Sequence, residues 1–500
     1  MEVNYIIVQA GGKGTRMQQL TRNKPKALVP VKNLPMLFHL FRKFPEKKYL
    51  IIGDYKYEVL ERYLQTFAEV DYTMVHAKGA QGTCGGLRDA LKSIPPNEPF
   101  LLIWSDLILP DAYEMPKEDS NYVGISKDFP CRWRYEHGVF TEKSSEAQGV
   151  AGLFIFEDAS MLADVPLQGE FVRWLGERQI PFQELPLQKT KEYGLLSEYE
   201  KLETEKCRPF NRLTVEGSRI IKEGIDAQGR ALAVRERAWY QKLAETDIQN
   251  IPKIYALEPL TMENIDGKNI YEYSSLLKEQ KRDILSRIIA CLKEVQHTAS
   301  VPSDWDSYYE AYIGKTFDRL KKIQDLVPFA RDKTVTVNGR VCRNVFWERE
   351  RLEQRIRAWF PAQFRLIHGD CTFSNLLLKQ DGTPVLIDPR GYFGTTELYG
   401  DPAYDWAKLY YSIAGNYDQF NLKRFSLEIG EQEAVLTIAS SHWEDMEQDF
   451  FELLREEVTP EQIKLLHALI WLSLTTYAWE DYDSICGAFY NGLYYLEEVL

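Results

Sequence analysis

The sequence has few cysteines, and none of them are arranged in a way that suggests a disulfide framework or a zinc site. Seven cysteines are scattered over 500 residues, and no CxxC pair occurs. Disulfide-rich and zinc-ribbon folds need cysteines paired at short, regular spacing. The cysteine pattern therefore excludes those classes and fits a reducing compartment, so we expect a cytoplasmic protein.

Long hydrophobic runs and an excess of basic residues are also missing. No run of about 18 apolar residues occurs, so no transmembrane helix is expected. The first residues, MEVNYIIVQAGG, lack the basic region and the longer apolar run of a signal peptide. The net charge of −13 opposes binding to nucleic acid or to an anionic membrane. We therefore expect small-molecule and nucleotide partners, no nucleic acid and no membrane, with a homodimer possible.

The sequence also lacks internal repeats and low-complexity linkers, but its length exceeds one ordinary core. Domains usually contain about 100–200 residues, so 500 residues predict two or three. Up to residue 205, apolar runs such as NYIIVQA and FLLIWSD alternate with helical patterns, which predicts an α/β domain. Near residue 206 the pattern changes to a small antiparallel sheet with a helix, and from about 280 it is mainly helical. We predict domains at 1–205 and 206–500, the second with lobes at 206–270 and 271–500.

A glycine-rich stretch, VQAGGKGTRM, follows the first predicted strand. The carboxyl ends of strands in an open α/β sheet are where such folds bind ligands. Glycines at this point allow backbone N–H groups to approach phosphate oxygens, and Lys13, Arg16 and Lys26 add positive charge. A second segment, AQGTCGGLRDAL, could contact a nucleobase through Gly82 and Thr83. The alternative interpretation is an ordinary strand–turn–helix loop with solvated cations.

Asp106 ends the apolar strand FLLIWSD and should face the same edge of the sheet. A buried carboxylate is costly unless it is paired or bound to a metal. A metal ligand is therefore one interpretation of Asp106, and a turn cap is the other.

These features together resemble the nucleotidyltransferases that activate sugar phosphates and related phosphoesters, over about residues 1–205. That family has a G-G-x-G-T-R loop, then P-K, then a strand-end Asp. The resemblance implies a Rossmann-like (GT-A-like) mixed sheet, catalytic roles for Arg16 and Lys26 on phosphates, and Asp106 as a Mg²⁺ ligand. Glu192 stands where the family has a second metal-binding Asp. The implied nucleotide-binding residues are Ala10, Gly11, Gly12, Gly14, Thr15, Gly82 and Thr83.

A second constellation lies in LIHGDCTFSNLLL, residues 366–378. Asp370 and Asn375 have the spacing of the protein-kinase H-x-D-x-x-x-x-N loop, in which the Asp is the catalytic base and the Asn holds Mg²⁺. Asp388 ends the next apolar strand, at the position of the kinase Asp that binds Mg²⁺ across the phosphates. The alternative interpretation is a polar hairpin.

Residues suited to the ATP side of such a site precede this loop in the expected order. Lys222 lies on a predicted strand and Glu236 on the following helix, and kinases use a Lys–Glu pair of this kind to orient the triphosphate. Met262 and Glu263 are predicted to face adenine in the connector between lobes. Without the other motifs, Lys222 and Glu236 could equally be a surface ion pair.

The second half resembles the aminoglycoside phosphotransferase and choline kinase family, over about residues 207–500. The resemblance implies a bilobal protein-kinase-like α+β domain, with Asp370 as base and Asn375 and Asp388 as Mg²⁺ ligands. Choline kinases commonly have Trp-Glu after the metal Asp, whereas this sequence has Pro-Arg. Arg390 would repel a quaternary ammonium, which favours a neutral or polyhydroxylated acceptor. Asp481, among aromatic residues near the C-terminus, is a further candidate for substrate binding, although it could be solvated.

The two halves suggest consecutive reactions, because a kinase makes the phosphate monoester that a nucleotidyltransferase consumes. We therefore predict a bifunctional enzyme that uses Mg²⁺, ATP and a second nucleotide, CTP or UTP, to make a nucleotide-activated metabolite for surface glycans. A sugar or polyol is favoured as the metabolite. An amino alcohol such as choline is the alternative, and a third possibility is that one half only binds nucleotide.

Overall fold

The computed structural model describes residues 2–202 and 211–500 of the chain. The chain divides into two compact units. The first unit comprises Met1–Glu203 together with Trp479–Asp483, and the second comprises Thr204–Ala478 together with Ser484–Leu500. No helix within the described residues is both long enough and apolar enough to span a bilayer.

The first unit contains thirteen described strands and five α-helices. The strands are β1 (Tyr5–Gln9), β2 (Pro30–Val31), β3 (Leu34–Pro35), β4 (Lys48–Gly53), β5 (Tyr72–His76), β6 (Phe100–Trp104), β7 (Leu107–Ile108), β8 (Tyr122–Ser126), β9 (Arg134–Glu136), β10 (Val139–Thr141), β11 (Gly149–Phe156), β12 (Gln183–Pro186) and β13 (Lys191–Glu192). The helices are α1 (Met36–Lys43), α2 (Tyr57–Phe67), α3 (Leu87–Leu91), α4 (Phe171–Gly176) and α5 (Leu196–Tyr199).

A mixed nine-stranded sheet is the centre of this unit, which confirms the predicted fold class. Strands β5, β4, β1 and β6 are parallel neighbours in that order, and β11 joins β6 antiparallel. Strands β1 and β6 have buried, continuous apolar runs because parallel strands are covered on both faces. Gln9 is in register with Trp104, so the loop after β1 and the turn after β6 leave the sheet at the same edge. Strand β13 then pairs with β7 just beyond Asp106.

The second unit combines small sheets with most of the helices. Its strands are β14 (Asn211–Glu216), β15 (Arg219–Gly224), β16 (Ile254–Leu257), β17 (Leu260–Glu263), β18 (Gly267–Asn269), β19 (Ser300–Pro302), β20 (Thr334–Val337), β21 (Arg340–Arg343), β22 (Gln363–Leu366), β23 (Leu376–Lys379), β24 (Pro384–Leu386), β25 (Tyr392–Phe393), β26 (Thr396–Glu397), β27 (Tyr399–Gly400), β28 (Phe425–Ile429) and β29 (Glu433–Ile438). The α-helices are α6 (Ala227–Leu243), α7 (Lys278–Thr298), α8 (Trp305–Tyr309), α9 (Lys315–Ile323), α10 (Arg349–Ala358), α11 (Pro402–Ile413), α12 (Tyr417–Asn421), α13 (Glu447–Leu453), α14 (Pro460–Leu474) and α15 (Tyr482–Leu496).

An antiparallel sheet in the order β14-β15-β17-β16 forms one part of this unit, and α6 packs on β15. The remainder is mainly helical, with α14 packed against α9 and α11. The hairpin of β23 and β24 lies between two segments that carry predicted site residues: the loop containing Asp370 precedes β23, and Asp388 follows β24. A small sheet with one helix followed by a helical region is the kinase-like α+β arrangement that the sequence predicts.

Two candidate active sites

The glycine-rich loop of the first unit bends sharply between β1 and a short 3₁₀ helix at Thr15–Thr21. Gly14 has a φ of 62°, in the left-handed region, and a Cβ there would lie 3.1 Å from Lys26 Cβ. A Cβ on Gly11 would lie 3.1 Å from the backbone nitrogen of Asp54, whereas a Cβ on Gly12 would meet nothing within 4 Å. The loop is therefore packed at Gly11 and Gly14 and open at Gly12, as a ligand-binding loop requires.

Lys26, Asp106 and Glu192 meet at the carboxyl edge of the sheet. Lys26 Nζ donates a hydrogen bond to Asp106 Oδ2, and the other carboxylate oxygen of Asp106 is buried with no hydrogen-bond partner among the described residues. Glu192 lies opposite Leu107 in the pairing of β13 with β7. A Cβ on Gly194 would collide with Glu192 Oε1 and lie 3.1 Å from Asp106 Oδ2. The glycine thus leaves room for two carboxylates side by side.

The electrostatics of Glu192 reflect this crowding. Burial, and then the negative charge of Asp106, raise the pKa of Glu192 to about 7, whereas Lys26 and Arg16 oppose the increase. Both sequence-predicted cations therefore act on the same carboxylate. The structure brings Arg16, Lys26, Asp106 and Glu192 together, while their catalytic and metal-binding roles stay predictions.

This pair of carboxylates fits a Mg²⁺ ion. Mg²⁺ is usually held by one or two carboxylates together with water and substrate phosphates. Oδ1 of Asp106 has no hydrogen-bond partner among the described residues, and burial and the charge of Asp106 raise the pKa of Glu192. Both features are expected of two neighbouring carboxylates that would bind one cation between them. Over 2–202 and 211–500, no group of three or more His, Cys, Asp or Glu side chains is arranged to hold a metal. The remaining ligands would therefore come from nucleotide and water.

The second Gly/Thr segment is held against residues 169–171. A Cβ on Gly82 would overlap the backbone of Gly169. The Thr83 hydroxyl accepts a hydrogen bond from Phe171 N at 2.8 Å and donates one to Glu170 Oε1 at 2.8 Å. The backbone oxygen of Thr83 accepts from the Gln9 side chain. Gly82 and Thr83 thus have clear structural contacts, and their contact with a nucleobase stays a prediction.

In the second unit, Lys222 connects two carboxylates from separate elements. Lys222 Nζ lies 2.8 Å from Glu236 Oε2 on α6 and 2.7 Å from Asp388 Oδ1. Burial disfavours the charge on Lys222, but Asp388 and Glu236 outweigh it and raise its pKa. Burial raises the pKa of Glu236 to about 7, against the charge of Lys222. The Lys–Glu pair that the sequence predicts is therefore formed, and it is buried rather than on the surface.

The Asp370 loop is held by backbone and side-chain hydrogen bonds. Asn375 Nδ2 donates to the backbone oxygen of Asp370 at 2.8 Å and to its Oδ2 at 3.1 Å. Since the amide nitrogen is used in this way, the side-chain oxygen of Asn375 is the atom suited to a cation. Lys408 Nζ lies 2.8 Å from Asp370 Oδ1. Burial alone would raise the pKa of Asp370, but Lys408 outweighs it and keeps the pKa below its usual value.

Asp405 stabilises the Asp370 loop by accepting hydrogen bonds from its backbone. Its side chain is fully buried and accepts hydrogen bonds from His368 N at 3.1 Å and Gly369 N at 2.7 Å. His368 Nε2 contacts the backbone oxygen of Ile387 at 2.9 Å, which links the Asp370 loop to the segment that precedes Asp388. Asp405 is therefore structural.

A cavity of about 1090 Å³ brings the predicted residues of the second unit together. Lys222, Glu236, Asp370, Asn375, Asp388 and Arg390 all line it. Sequence reasoning missed four other cations that line it: Lys315, Arg319, Lys408 and Arg424. A sequence signal was present for three of them, because Lys315 and Arg319 are four residues apart on α9 and Lys408 is three residues beyond Asp405. Arg424 donates to the Gln419 side chain at 3.1 Å.

Three sequence-predicted residues lie elsewhere. Met262 and Glu263 are on β17, outside the set of residues that line the cavity, and their contact with adenine stays a prediction. Asp481 requires a correction, since it belongs to the first unit and lies 3.0 Å from Lys24 Nζ with only 4% of its surface exposed. A carboxylate committed to a buried ion pair is not available to a substrate in the cavity around Asp370.

Comparison with known proteins identifies a transferase family model for part of each unit. Residues 6–115 match the family model of the MobA-like NTP transferase domain, and residues 219–426 match that of the phosphotransferase enzyme family, APH. The chain carries one domain of each family. Both are transferase families, which confirms the resemblance inferred from the motifs.

The relatives of the NTP transferase domain include sugar-phosphate enzymes. Bifunctional protein GlmU of Methanococcus maripaludis strain C5 is 29% identical over 124 residues, 24% of this chain and 29% of that protein. UTP–glucose-1-phosphate uridylyltransferase AglF of Haloferax volcanii is 31% identical over 121 residues, 23% of this chain and 49% of that protein. The chain thus spans less than half the length of either relative. The crystal structure of HddC from Yersinia pseudotuberculosis is 17% identical, with a TM-score of 0.35 over 40% of this chain and 98% of that chain.

Proposed function

We propose that this chain catalyses two consecutive transfers on one small molecule. The phosphotransferase domain would phosphorylate a hydroxyl group with ATP, and the NTP transferase domain would then attach a nucleotidyl group from CTP or UTP and release pyrophosphate. The observation that carries the proposal is that one chain contains both a kinase-type cavity around Asp370 and a cation–carboxylate site around Asp106. The product of the first site is a phosphate monoester, which is the substrate class of the second. The activated product would serve surface glycan synthesis.

In the first transfer, Asp370 would accept the proton of the substrate hydroxyl. Lys408 keeps Asp370 ionised, and the hydrogen bonds from Asn375 orient its carboxylate. Lys222, positioned by Glu236, would bind the phosphates of ATP. Asn375 and Asp388 would hold Mg²⁺, which neutralises the charge of the transferred phosphoryl group in such reactions.

In the second transfer, the substrate phosphate would attack the α-phosphate of the nucleotide. Lys26 and Arg16, which both act on the charge of Glu192, would bind phosphate oxygens beside the open face of the loop at Gly12. Asp106 and Glu192 would hold Mg²⁺ at the same place. The chain's contribution is alignment and electrostatic stabilisation, because the nucleotidyl group passes directly between substrates.

A sugar or polyol is the favoured acceptor. One relative of the NTP transferase domain is named for UTP and glucose-1-phosphate, which supports UTP and a sugar phosphate for the second transfer. Arg390 lines the phosphotransferase cavity and would repel a quaternary ammonium such as choline. The test can also return two other outcomes. The enzyme could use choline and CTP, or one half of the chain could bind nucleotide without catalysing a transfer.

The test measures the two products separately. We expect Asp370→Asn to abolish ADP release with Mg·ATP and a panel of sugars and polyols, and to leave pyrophosphate release from UTP or CTP and supplied sugar phosphates intact. Asp106→Asn should do the reverse. Asp247→Asn and Asp111→Asn, which change exposed carboxylates in the second and first units, are matched controls that should retain both activities. If either active-site variant lost both activities while its unfolding transition was unchanged, the two-site proposal would be wrong.

A further inference from the structure

The wall of the phosphotransferase cavity beside Asp370 carries an excess of positive charge. Lys315, Arg319, Arg390 and Lys408 all line it. A Cβ on Gly369 would lie 2.9 Å from Arg390 Cβ, so the Arg390 side chain packs against the loop that carries Asp370. Lys315 and Arg319 are four residues apart on α9, and side chains at this spacing share one face of a helix.

Only one of these four cations has a carboxylate partner. Lys408 pairs with Asp370 at 2.8 Å. Arg390 donates instead to two neutral groups, the hydroxyls of Tyr404 at 2.9 Å and Tyr392 at 2.8 Å.

The two cations on α9 also lack acidic partners. Arg319 donates to the backbone oxygen of Ser473 at 2.5 Å and to its hydroxyl at 3.1 Å. Across 2–202 and 211–500, Lys315 forms neither a hydrogen bond nor an ion pair, and its Nζ lies 5.9 Å from the centre of the Tyr404 ring. Arg319 and Arg390 therefore keep their charge available to a ligand, and the Lys315 amine has no acidic partner among the described residues.

The acidic residues that line the cavity all have partners. Glu236 and Asp388 are paired with Lys222, and Asp370 is paired with Lys408. The fourth, Glu272, accepts a hydrogen bond from the backbone nitrogen of Asn269 at 3.0 Å. Glu310, which does not line the cavity, acts to raise the pKa of Lys315, but its effect is smaller than those of burial and of the neighbouring cations. Burial, and then the charges of Arg390, Arg319 and Lys408, lower the pKa of Lys315 well below its usual value. This repulsion among cations is what a bound anion would relieve.

Resting on the proposed kinase function, we infer that the acceptor carries an anionic group, a carboxylate or a phosphate, in addition to the hydroxyl that is phosphorylated. Arg390, Lys315 and Arg319 would bind that group while Asp370 faces the hydroxyl. This narrows the acceptor from neutral polyols to sugar acids, hydroxy acids and sugar phosphates, and it excludes choline-like cations.

The main rival is that these cations bind the phosphates of ATP. That task already has dedicated groups, since Lys222 with Glu236 and the metal-binding positions Asn375 and Asp388 lie along the same cavity. The two explanations predict different kinetic effects. Removing a cation that binds the acceptor should raise the KM for the acceptor, whereas removing one that binds ATP should raise the KM for ATP.

The experiment compares ADP release for matched acceptors with and without charge: D-glycerate with glycerol, D-gluconate with sorbitol, and glucose 6-phosphate with glucose. The carboxylate and phosphate pairs distinguish the two kinds of anion. We expect the full-length protein to prefer an anionic member by at least about 10-fold in kcat/KM. Lys315→Met and Arg319→Met should each reduce kcat/KM for that acceptor by about 10- to 100-fold, the range for a lost charge-assisted hydrogen bond, mainly through its KM. Lys321→Met, an exposed lysine on the same helix, is the control and should retain the preference.

The outcomes separate this inference from the function on which it rests. ADP release with neutral or cationic acceptors only would overturn the anionic acceptor and leave the kinase proposal standing. An increase in the KM for ATP with an unchanged KM for the acceptor would also overturn it, in favour of the rival. If no acceptor of any class supported ADP release, the kinase function and this inference would be overturned together.

Discussion

Replacing Lys24 by methionine should destabilise the first unit by about 3–5 kcal/mol near neutral pH, the usual cost of removing one partner of a buried ion pair. The Lys24 side chain is 2% exposed, and its Nζ lies 3.0 Å from Asp481 Oδ1 and also pairs with Asp483. Asn23 donates a further hydrogen bond to Asp483 at 3.0 Å. Methionine preserves the length of the aliphatic stem but leaves two buried carboxylates without their cation.

This penalty should increase with pH. Burial raises the pKa of Asp483, and Lys24 opposes that increase, so the pKa should rise further in Lys24→Met. A carboxylate whose pKa is higher in the folded than in the unfolded state favours folding while it is protonated, below its ordinary value of 3.8. That advantage is lost as the pH rises through the folded pKa. The variant should therefore lose more stability at pH 8 than at pH 5.

Calorimetry of the full-length protein at pH 5 and pH 8 measures the effect. For a unit of about 200 residues, 3–5 kcal/mol corresponds to a decrease in Tm of about 6–20 °C. Because a two-domain chain need not unfold in one step, hydrogen exchange of peptides from the first unit should identify the transition that moves. Lys92→Met is the control: its side chain is 71% exposed and its pair with Asp89 belongs to a class worth about 0–1 kcal/mol. Equal Tm decreases for both variants, or a Lys24→Met penalty independent of pH, would refute the reasoning.

Two further predictions concern the packing beneath the sites. Gly194→Ala should displace Glu192 and reduce pyrophosphate formation by at least about 10-fold, a factor that corresponds to about 1.4 kcal/mol of lost transition-state stabilisation. Gly176→Ala is the control and should retain activity, because the nearest neighbour of the added Cβ would be 3.4 Å away. Normal pyrophosphate release by Gly194→Ala would contradict this prediction. Asp405→Ala should destabilise the second unit by about 2–6 kcal/mol in urea unfolding, because two buried backbone N–H groups of the Asp370 loop lose their acceptor. Asp405→Asn, which keeps one acceptor oxygen, should cost less and retain more ADP release, and an equal loss for both variants would count against this account.

The sequence by itself was enough to predict the two kinds of domain and the centre of each site. The residues that define those centres are close together along the chain or stand at the ends of apolar strands. Asp370 and Asn375 share one loop, and Asp106 follows a strand whose apolar composition already indicates that it is buried. Such patterns survive without tertiary information because local spacing and strand burial determine them.

Tertiary structure decided which distant side chains join these centres. Glu192 reaches Asp106 because β13 pairs with β7. Lys315 reaches the cavity because α9 packs against α14, and a sequence does not show which face of such a helix will line a cavity. Asp481 illustrates the opposite case, since its surroundings in the sequence suggested a substrate contact, whereas it is buried against Lys24. The cost of leaving a charge unpaired in the interior explains the pairing of Asp481 with Lys24, whereas packing determines which side chains lie within reach of each site.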